Sequence, residues 1–205
     1  MTDAGAAHGL VVLAAGASSR LGQCKQLLTL GGEALVYRTA RVALATSPRD
    51  AVIVLGSDAE SVHAKVSYLP LRRVDCGNWQ AGMSASLRAG LDALSPDCAG
   101  ALIVLCDQPW LDVEHLQALC AAWRLQSQHA AASFYQGHLG VPALLPRPWF
   151  TRLPPSGDRG ARDLLDAHRA DVAVVVNEAL ALDIDQPADL AALDVLKTDA
   201  RVNDL

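Results

Sequence analysis

Four short apolar runs recur along the chain, LVVLAA at 10–15, AVIVL at 51–55, ALIVLC at 101–106 and VAVVV at 172–176, and none alternates with polar residues. Continuous runs of this length predict strands of a parallel sheet buried on both faces. The stretches 34–46, 58–66, 83–94 and 112–126 suit helices. In the last of these, Leu116, Leu119, Cys120 and Trp123 fall on one face, and Asp112 is placed to cap the start. Strands alternating with helices imply an open three-layer α/β/α architecture around a mostly parallel sheet. Gly, Pro and Ser cluster at 137–148 and 153–160, but each cluster is short and followed by renewed pattern, so neither reads as a domain linker. The region 127–160 is the least regular, and an excursion from the sheet that carries substrate specificity is expected there.

At 205 residues, 51% of them apolar and 19% charged, the chain matches one large domain with a sizeable core. A formal charge of −5, from 22 acidic against 17 basic residues, argues against general binding of nucleic acid or a membrane surface, and leaves room for a local phosphate site. No uncharged apolar stretch reaches the ~18 residues of a transmembrane helix, and the first ten residues lack the features of a signal peptide, so a cytoplasmic protein is expected. Cys24, Cys76, Cys98, Cys106 and Cys120 are dispersed, never spaced as CxxC, and read as reduced, mostly buried thiols.

The first strand runs into LAAGASSRLGQCK at 13–25, a loop of small residues with Gly16, Gly22, Arg20 and Lys25. Open α/β sheets bind ligands at such strand ends. The glycines allow a close backbone approach to an anion, loop amides can form a nest, and the two cations supply positive charge. The spacing is neither GxGxxG nor GxxxxGK[ST]. A surface loop with ordinary solvated cations is the plainer alternative.

Asp107 follows the run ALIVLC and precedes Gln108 and Pro109, which puts a carboxylate at the C-terminal end of a strand. Beside a phosphate loop, such an oxygen ligand suits Mg²⁺, which takes one or two protein carboxylates together with phosphates and waters. An Asx-turn before Pro109 is the alternative. The segment DIDQP at 183–187 offers Asp183 and Asp185 on one face if extended, although Asp185 or Gln186 is equally suited to cap a helix starting near Pro187.

The pattern LAAGxSxRxGxxK resembles the signature of the nucleotidyltransferases that make molybdenum cofactor dinucleotides, the MobA-like NTP transferases. WQAGMSASLRAGLDAL at 79–94, ALIVLCDQP at 101–109, GHLGVPALLPR at 137–147, GDRGARDLL at 157–165 and DIDQPADL at 183–190 resemble further segments of that family in the same order. The resemblance implies a Rossmann-like, glycosyltransferase-A-like fold over one domain, 1–205, with 1–126 mainly binding nucleotide and 127–205 mainly binding the acceptor. It implies catalytic roles for Arg20, Lys25 and Asp107, and Mg²⁺ or Mn²⁺ on Asp107 and Asp185. Nucleotide contacts would fall at Leu13, Ala14, Ala15, Gly16, Ser19, Arg20, Lys25, Gln80, Gly82 and Ser84, and acceptor contacts at Gly140, Pro142, Asp158 and Arg162. The implied reaction transfers a nucleotidyl group from a nucleoside triphosphate to molybdopterin or molybdenum cofactor. CTP is favoured, because Ala15 stands where the guanylyl-transferring branch has a second glycine.

The chain departs from the family at Ser84, often Gly, and at Gln186, more often Thr. Asp158 pairing with Arg162 across a helical turn is a structural alternative for those two residues. His138 lies in the acceptor-side turn without a partner at triad or metal spacing, while His8, His63, His115, His129 and His168 suit surface or packing roles. Trp79 and Trp110 flank the expected site, with core or rim packing the simpler assignment. GTP- or sugar-phosphate-dependent transfer, a nicotinamide-dependent oxidoreductase and a cofactor carrier stand as alternatives. The partners expected are a pterin cofactor and a molybdenum hydroxylase apo-enzyme, and the chain is expected to be a monomer or weak dimer.

Overall fold

In the computed structural model, residues 6–184 and 186–189 are described. Strand β1 (His8–Ala14) is followed by a short hairpin of β2 (Thr29–Leu30) and β3 (Glu33–Ala34), helix α1 (Leu35–Leu44), β4 (Asp50–Leu55), α2 (Ala59–Ala64) and β5 (Arg72–Asp75). Helix α3 (Met83–Ala93), β6 (Gly100–Leu105), α4 (Val113–Leu125), β7 (Ala130–Tyr135), β8 (His138–Pro146), α5 (Arg162–Ala167) and β9 (Val172–Val176) complete the regular elements. Seven strands form one sheet in the order β5-β4-β1-β6-β8-β7-β9. Only β8 runs against its neighbours; the pairs β1/β4, β1/β6, β4/β5 and β7/β9 are parallel.

The continuity of the apolar runs follows from the two-residue repeat of a strand whose faces are both covered. Leu10, Val12, Ile53, Leu55, Leu102 and Val104 pack with Val36 and Ala40 of α1 and with Leu116, Leu119 and Trp123 of α4. The intervening Val11, Leu13, Val52, Val54 and Ile103 pack on the other face with Leu87 and Leu91 of α3 and Leu164 and Leu165 of α5. Asp112 caps α4, its Oδ1 accepting from the His115 amide at 2.7 Å.

Two expectations are corrected. VAVVV is not buried on both faces: β9 is an edge strand, with Val174 and Val176 47% and 64% exposed. The region 127–160 leaves the sheet only after Pro146, because its earlier part supplies β7 and β8. These strands escape pattern reading since β7 opens on three alanines and β8 carries Gly140 and Pro142 inside it. Both residues have local reasons: a Cβ at Gly140 would lie 2.6 Å from the Tyr135 hydroxyl, and the register with β7 shifts close to Pro142, between Ala132 and Ser133.

The five cysteines are free thiols, buried except for half-buried Cys24. Burial pushes the Cys120 thiol up to about 11 and Cys106 higher still. His8 is buried and its Nε2 lies 3.0 Å from Thr46 Oγ1. That hydroxyl donates to the Ala43 carbonyl at 2.7 Å, so His8 Nε2 is the donor to Thr46. Burial lowers the His8 pKa to about 4, with the Arg124 charge adding to the effect, and burial also lowers that of His115. A histidine whose folded pKa is depressed contributes stability that is complete above the unfolded value near 6.5 and is lost as pH falls towards 4. The urea midpoint should therefore drop between pH 6.5 and 4, and His8→Gln should have a shallower drop, with the remaining slope left to His115. A wild-type slope kept in full by His8→Gln would remove this assignment.

Candidate active site

The chain leaves β1 on one side for β4 and later returns to the other side as β6, so the C-terminal ends of β1 and β6 flank a switch point. From β1 it enters the glycine-rich loop, where Ser18 and Gly22 adopt positive φ and the amides of Leu21 and Gly22 both bond to the Ser18 carbonyl. The loop ends in a 3-10 turn, Lys25–Leu27. This turn places the Lys25 Nζ 2.6 Å from Asp107 Oδ2, just beyond the end of β6.

Asp107 is largely buried, and its second oxygen, Oδ1, is enclosed without a hydrogen-bond partner. The carboxylate makes no Asx-turn bond among the described contacts, which sets that alternative aside. An unpartnered buried anionic oxygen beside a phosphate loop fits a hard cation such as Mg²⁺ or Mn²⁺, whose remaining ligands are phosphates and water. No cluster of three or more His, Cys, Asp or Glu gathers among the described residues, and Asp107 is the buried carboxylate on the cleft. Asp185 lies outside the described residues.

The opposite wall is built where the 3-10 turn Trp79–Ala81 leads into α3. Gly82 has φ +103°, and a Cβ there would stand 2.5 Å from the Gly157 carbonyl and 2.6 Å from Asp158 Oδ1. The 157–158 turn is laced to this point by Ser84 N–H to Gly157 O and Gly157 N–H to Ala81 O, both 2.9 Å. Trp79 rests on Gly56, where a Cβ would come within 2.6 Å of the indole.

The result is a cleft of about 440 Å³. The structure brings Leu13, Ala15, Gly16, Ser19, Arg20 and Lys25 to it from the loop side, and Gln80, Gly82, Asp107 and Asp158 from the others. Other expected residues stand elsewhere. Ala14 is a core residue whose carbonyl faces Gln26, and Ser84 is buried, with Ser86 on the lining instead. Two residues along a helix turn a side chain by about 200°, so Ser84 and Ser86 cannot share the cleft face. Gly140, Pro142 and Arg162 are not on the lining. The Pro142 carbonyl accepts from Ser133, and Arg162 donates to His138 Nε2 at 3.1 Å. Arg162 does not pair with Asp158; the contact one turn apart is Arg159 with Asp163 at 2.8 Å. His138 thus has a partner, distant in sequence, that spacing could not reveal.

Sequence reasoning passed over Gln26 and Gln108. Gln108 Nε2 reaches the Val141 carbonyl at 3.1 Å and stands 3.4 Å from both the Tyr135 hydroxyl and the Leu180 carbonyl, tying the Asp107 segment to β8. Burial raises the Tyr135 pKa, and the nearby Asp183 charge adds to the rise.

A cleft at a parallel-sheet switch point, with a cationic loop on one side and a buried carboxylate facing it, suits a nucleoside triphosphate held by its phosphates, and the protein is a nucleotidyltransferase. It belongs to the family of MobA-like NTP transferase domains, which matches residues 10–172. The purine catabolism protein PucB of Bacillus subtilis (strain 168) is 31% identical over 179 residues, 81% of this chain and 84% of PucB. The nicotine blue oxidoreductase of Paenarthrobacter nicotinovorans is 39% identical over 115 residues, so the match spans only 56% of that relative's length and 56% of this chain. Among solved structures, Rv0371c from Mycobacterium tuberculosis H37Rv superposes with a TM-score of 0.81 at 28% identity, covering 92% of this chain and 97% of Rv0371c. Rv0371c has also been solved as a complex with manganese. No helix among the described residues is long and apolar enough to cross a membrane.

Proposed function

We propose that the cleft binds CTP and transfers CMP to the terminal phosphate of a molybdopterin-type cofactor, releasing pyrophosphate. The observation that carries this reading is the contact of Lys25 with Asp107, 2.6 Å long, which leaves one buried carboxylate oxygen unpartnered beside the glycine-rich loop. An oxygen of the acceptor phosphate attacks the α-phosphorus, a P–O–P bond forms, and the bond from the α-phosphorus to the bridging oxygen breaks with its electron pair leaving on pyrophosphate. The nucleophile is already anionic, so no strong general base is needed; positioning and charge stabilisation are the protein's tasks. Lys25 and Arg20 hold the triphosphate, and the backbone at 15–17 contacts base and phosphates.

Asp107, with Asp185 as the second carboxylate, would hold Mg²⁺ or Mn²⁺, which supplies neutralisation of charge around the α-phosphate when bound. The manganese complex of Rv0371c supports a divalent ion in this family. Ala15 lines the cleft and, by the family resemblance, stands where the guanylyl-transferring branch has glycine, which supports CTP over GTP. Gln80 and Gly82 belong to the nucleotide side. Asp158, and beyond the cleft Gly140, Pro142 and Arg162, form the acceptor side, so residues 1–126 mainly serve the nucleotide and 127–205 mainly the acceptor. A molybdenum hydroxylase apo-enzyme is the proposed recipient, in the cytoplasm.

The test is pyrophosphate release with CTP, GTP or ATP, with and without molybdopterin cofactor and Mg²⁺. Release requiring both CTP and cofactor is expected; the same dependence on GTP would overturn the base assignment and keep the chemistry. The name of the nicotine blue oxidoreductase favours one second reading, redox chemistry on a small substrate. Oxidation of NADH or NADPH dependent on such a substrate, together with an absence of pyrophosphate release, would establish it instead.

A further inference from the structure

Gln26 is 2% exposed, beside the cation that contacts Asp107, and it uses all four of its hydrogen-bonding positions. Its Nε2 donates to the carbonyls of Ala14 at 3.3 Å and Gly16 at 3.0 Å. Its Oε1 accepts from Ser18 Oγ at 3.4 Å and Cys24 Sγ at 3.1 Å. The Ser18 hydroxyl in turn accepts the Lys25 amide at 3.1 Å, which closes a ring from the loop's start to its end through one carboxamide. Within that ring Ser18 is held at φ +52°, a conformation a serine seldom adopts.

We propose that Gln26 is a positioning residue for polyphosphate binding: its carboxamide replaces a strand partner that the glycine-rich loop lacks and presets the backbone of residues 14–18. This rests on the nucleotidyl-transfer reading of the cleft. In a trans peptide the N–H of one residue points opposite to the preceding carbonyl. Fastening the carbonyls of Ala14 and Gly16 to Gln26 therefore turns the amides of Ala15 and Ala17 away from it, and both alanines line the cleft. The Ala15 carbonyl is fixed separately, by the Ser57 amide at 3.0 Å. N–H groups set before the ligand arrives bind an anion without the cost of reordering the loop. The chemistry selects glutamine specifically. An ionised glutamate of the same shape accepts hydrogen bonds only and would face two carbonyl oxygens. Methionine fills the space while leaving those carbonyls without a donor.

The variants are Gln26→Glu and Gln26→Met, the second guarding against a first that fails to fold, with Ser18→Ala as a partial version. The readouts are binding of inorganic pyrophosphate and of CTP, hydrogen exchange across 14–18 in the ligand-free protein, thermal midpoint, and KM against kcat for the nucleotide. Both Gln26 variants should bind pyrophosphate about tenfold more weakly, as expected for loss of a preset pair of hydrogen bonds. The nucleotide KM should rise by a similar factor with kcat within about threefold, and exchange should quicken at 14–18 while β6 and α4 keep their protection. Ser18→Ala should show a smaller loss, roughly two- to threefold. Pyrophosphate affinity within about twofold of wild type in a folded Gln26 variant overturns the proposal and leaves the nucleotide reading intact. A wild-type protein that binds neither pyrophosphate nor CTP overturns the nucleotide reading, and this proposal with it, before any variant is made.

Discussion

Asp107→Asn folds and loses at least about 10³-fold in pyrophosphate release, the scale at which removal of one well-placed electrostatic group acts in a closed site. Asparagine keeps the volume of a residue only 8% exposed, so no cavity opens beneath the cleft. The charge is what disappears. Oδ2 is the acceptor for Lys25 Nζ, and Oδ1 is buried with nothing to bond. An amide in that place offers no anionic oxygen to a divalent ion and sets an N–H where the ion would stand. Lys25 then faces a neutral oxygen in place of a carboxylate, so Lys25→Met added to Asp107→Asn should cost far less than the product of the two single effects. Turnover and thermal midpoint measured on the same preparations separate chemistry from folding. A folded Asp107→Asn enzyme within about threefold of wild-type turnover would remove Asp107 from the mechanism.

The sheet's centre was legible because its strands are buried on both faces: LVVLAA, AVIVL and ALIVLC can hardly be anything else, and they became β1, β4 and β6. The edge strand β9 was legible as a strand too, from VAVVV, but β5, β7 and β8 were not. Arg72 and Arg73 place two charged side chains in β5, and β7 spends its first positions on alanines that carry little strand propensity. In both cases the neighbouring strand and the covering helix decide the conformation, and these lie far away in sequence. The same division holds for the cleft. Arg20, Lys25 and Asp107 announce themselves through charge at strand ends, and the fold brings all three to one cleft. Gln26 carries no charge and sits beside the residue that draws attention, so its four bonds appear only once the loop is folded. Ser84 matches a nucleotide-side position of the family pattern by number alone, and the helix turns it into the interior. Arg162 depends on a partner, His138, supplied by a strand that the sequence hid.

Gly82→Ala should be the most damaging single methyl group in the site. Gly82 has φ +103° and ψ 177°, a region that is essentially glycine's alone and costs other residues ~1–3 kcal/mol. The added Cβ would also meet the Gly157 carbonyl at 2.5 Å, and backbone cannot swing aside as a flexible side chain can. Relief requires the 157–158 turn to part from the start of α3, which breaks the bonds of Ser84 N–H to Gly157 O and of Gly157 N–H to Ala81 O. Together these set an expected loss of about 3 kcal/mol or more, or roughly 6–12 °C in the midpoint for a chain of this size. The function falls with it, because Asp158 lines the cleft only while that turn is seated, and a displaced turn opens the wall opposite the phosphate loop. The nucleotide KM should therefore rise even at temperatures where the variant is fully folded. Gly77→Ala is the control: it lies on the same approach to α3 and a Cβ there meets nothing within 4 Å, so its stability should stay within about 0.5 kcal/mol of wild type. Equal stability for the two variants would mean that the 157–158 turn is not locked to the helix start, and that the cleft's far wall is held by something other than the missing side chain at Gly82.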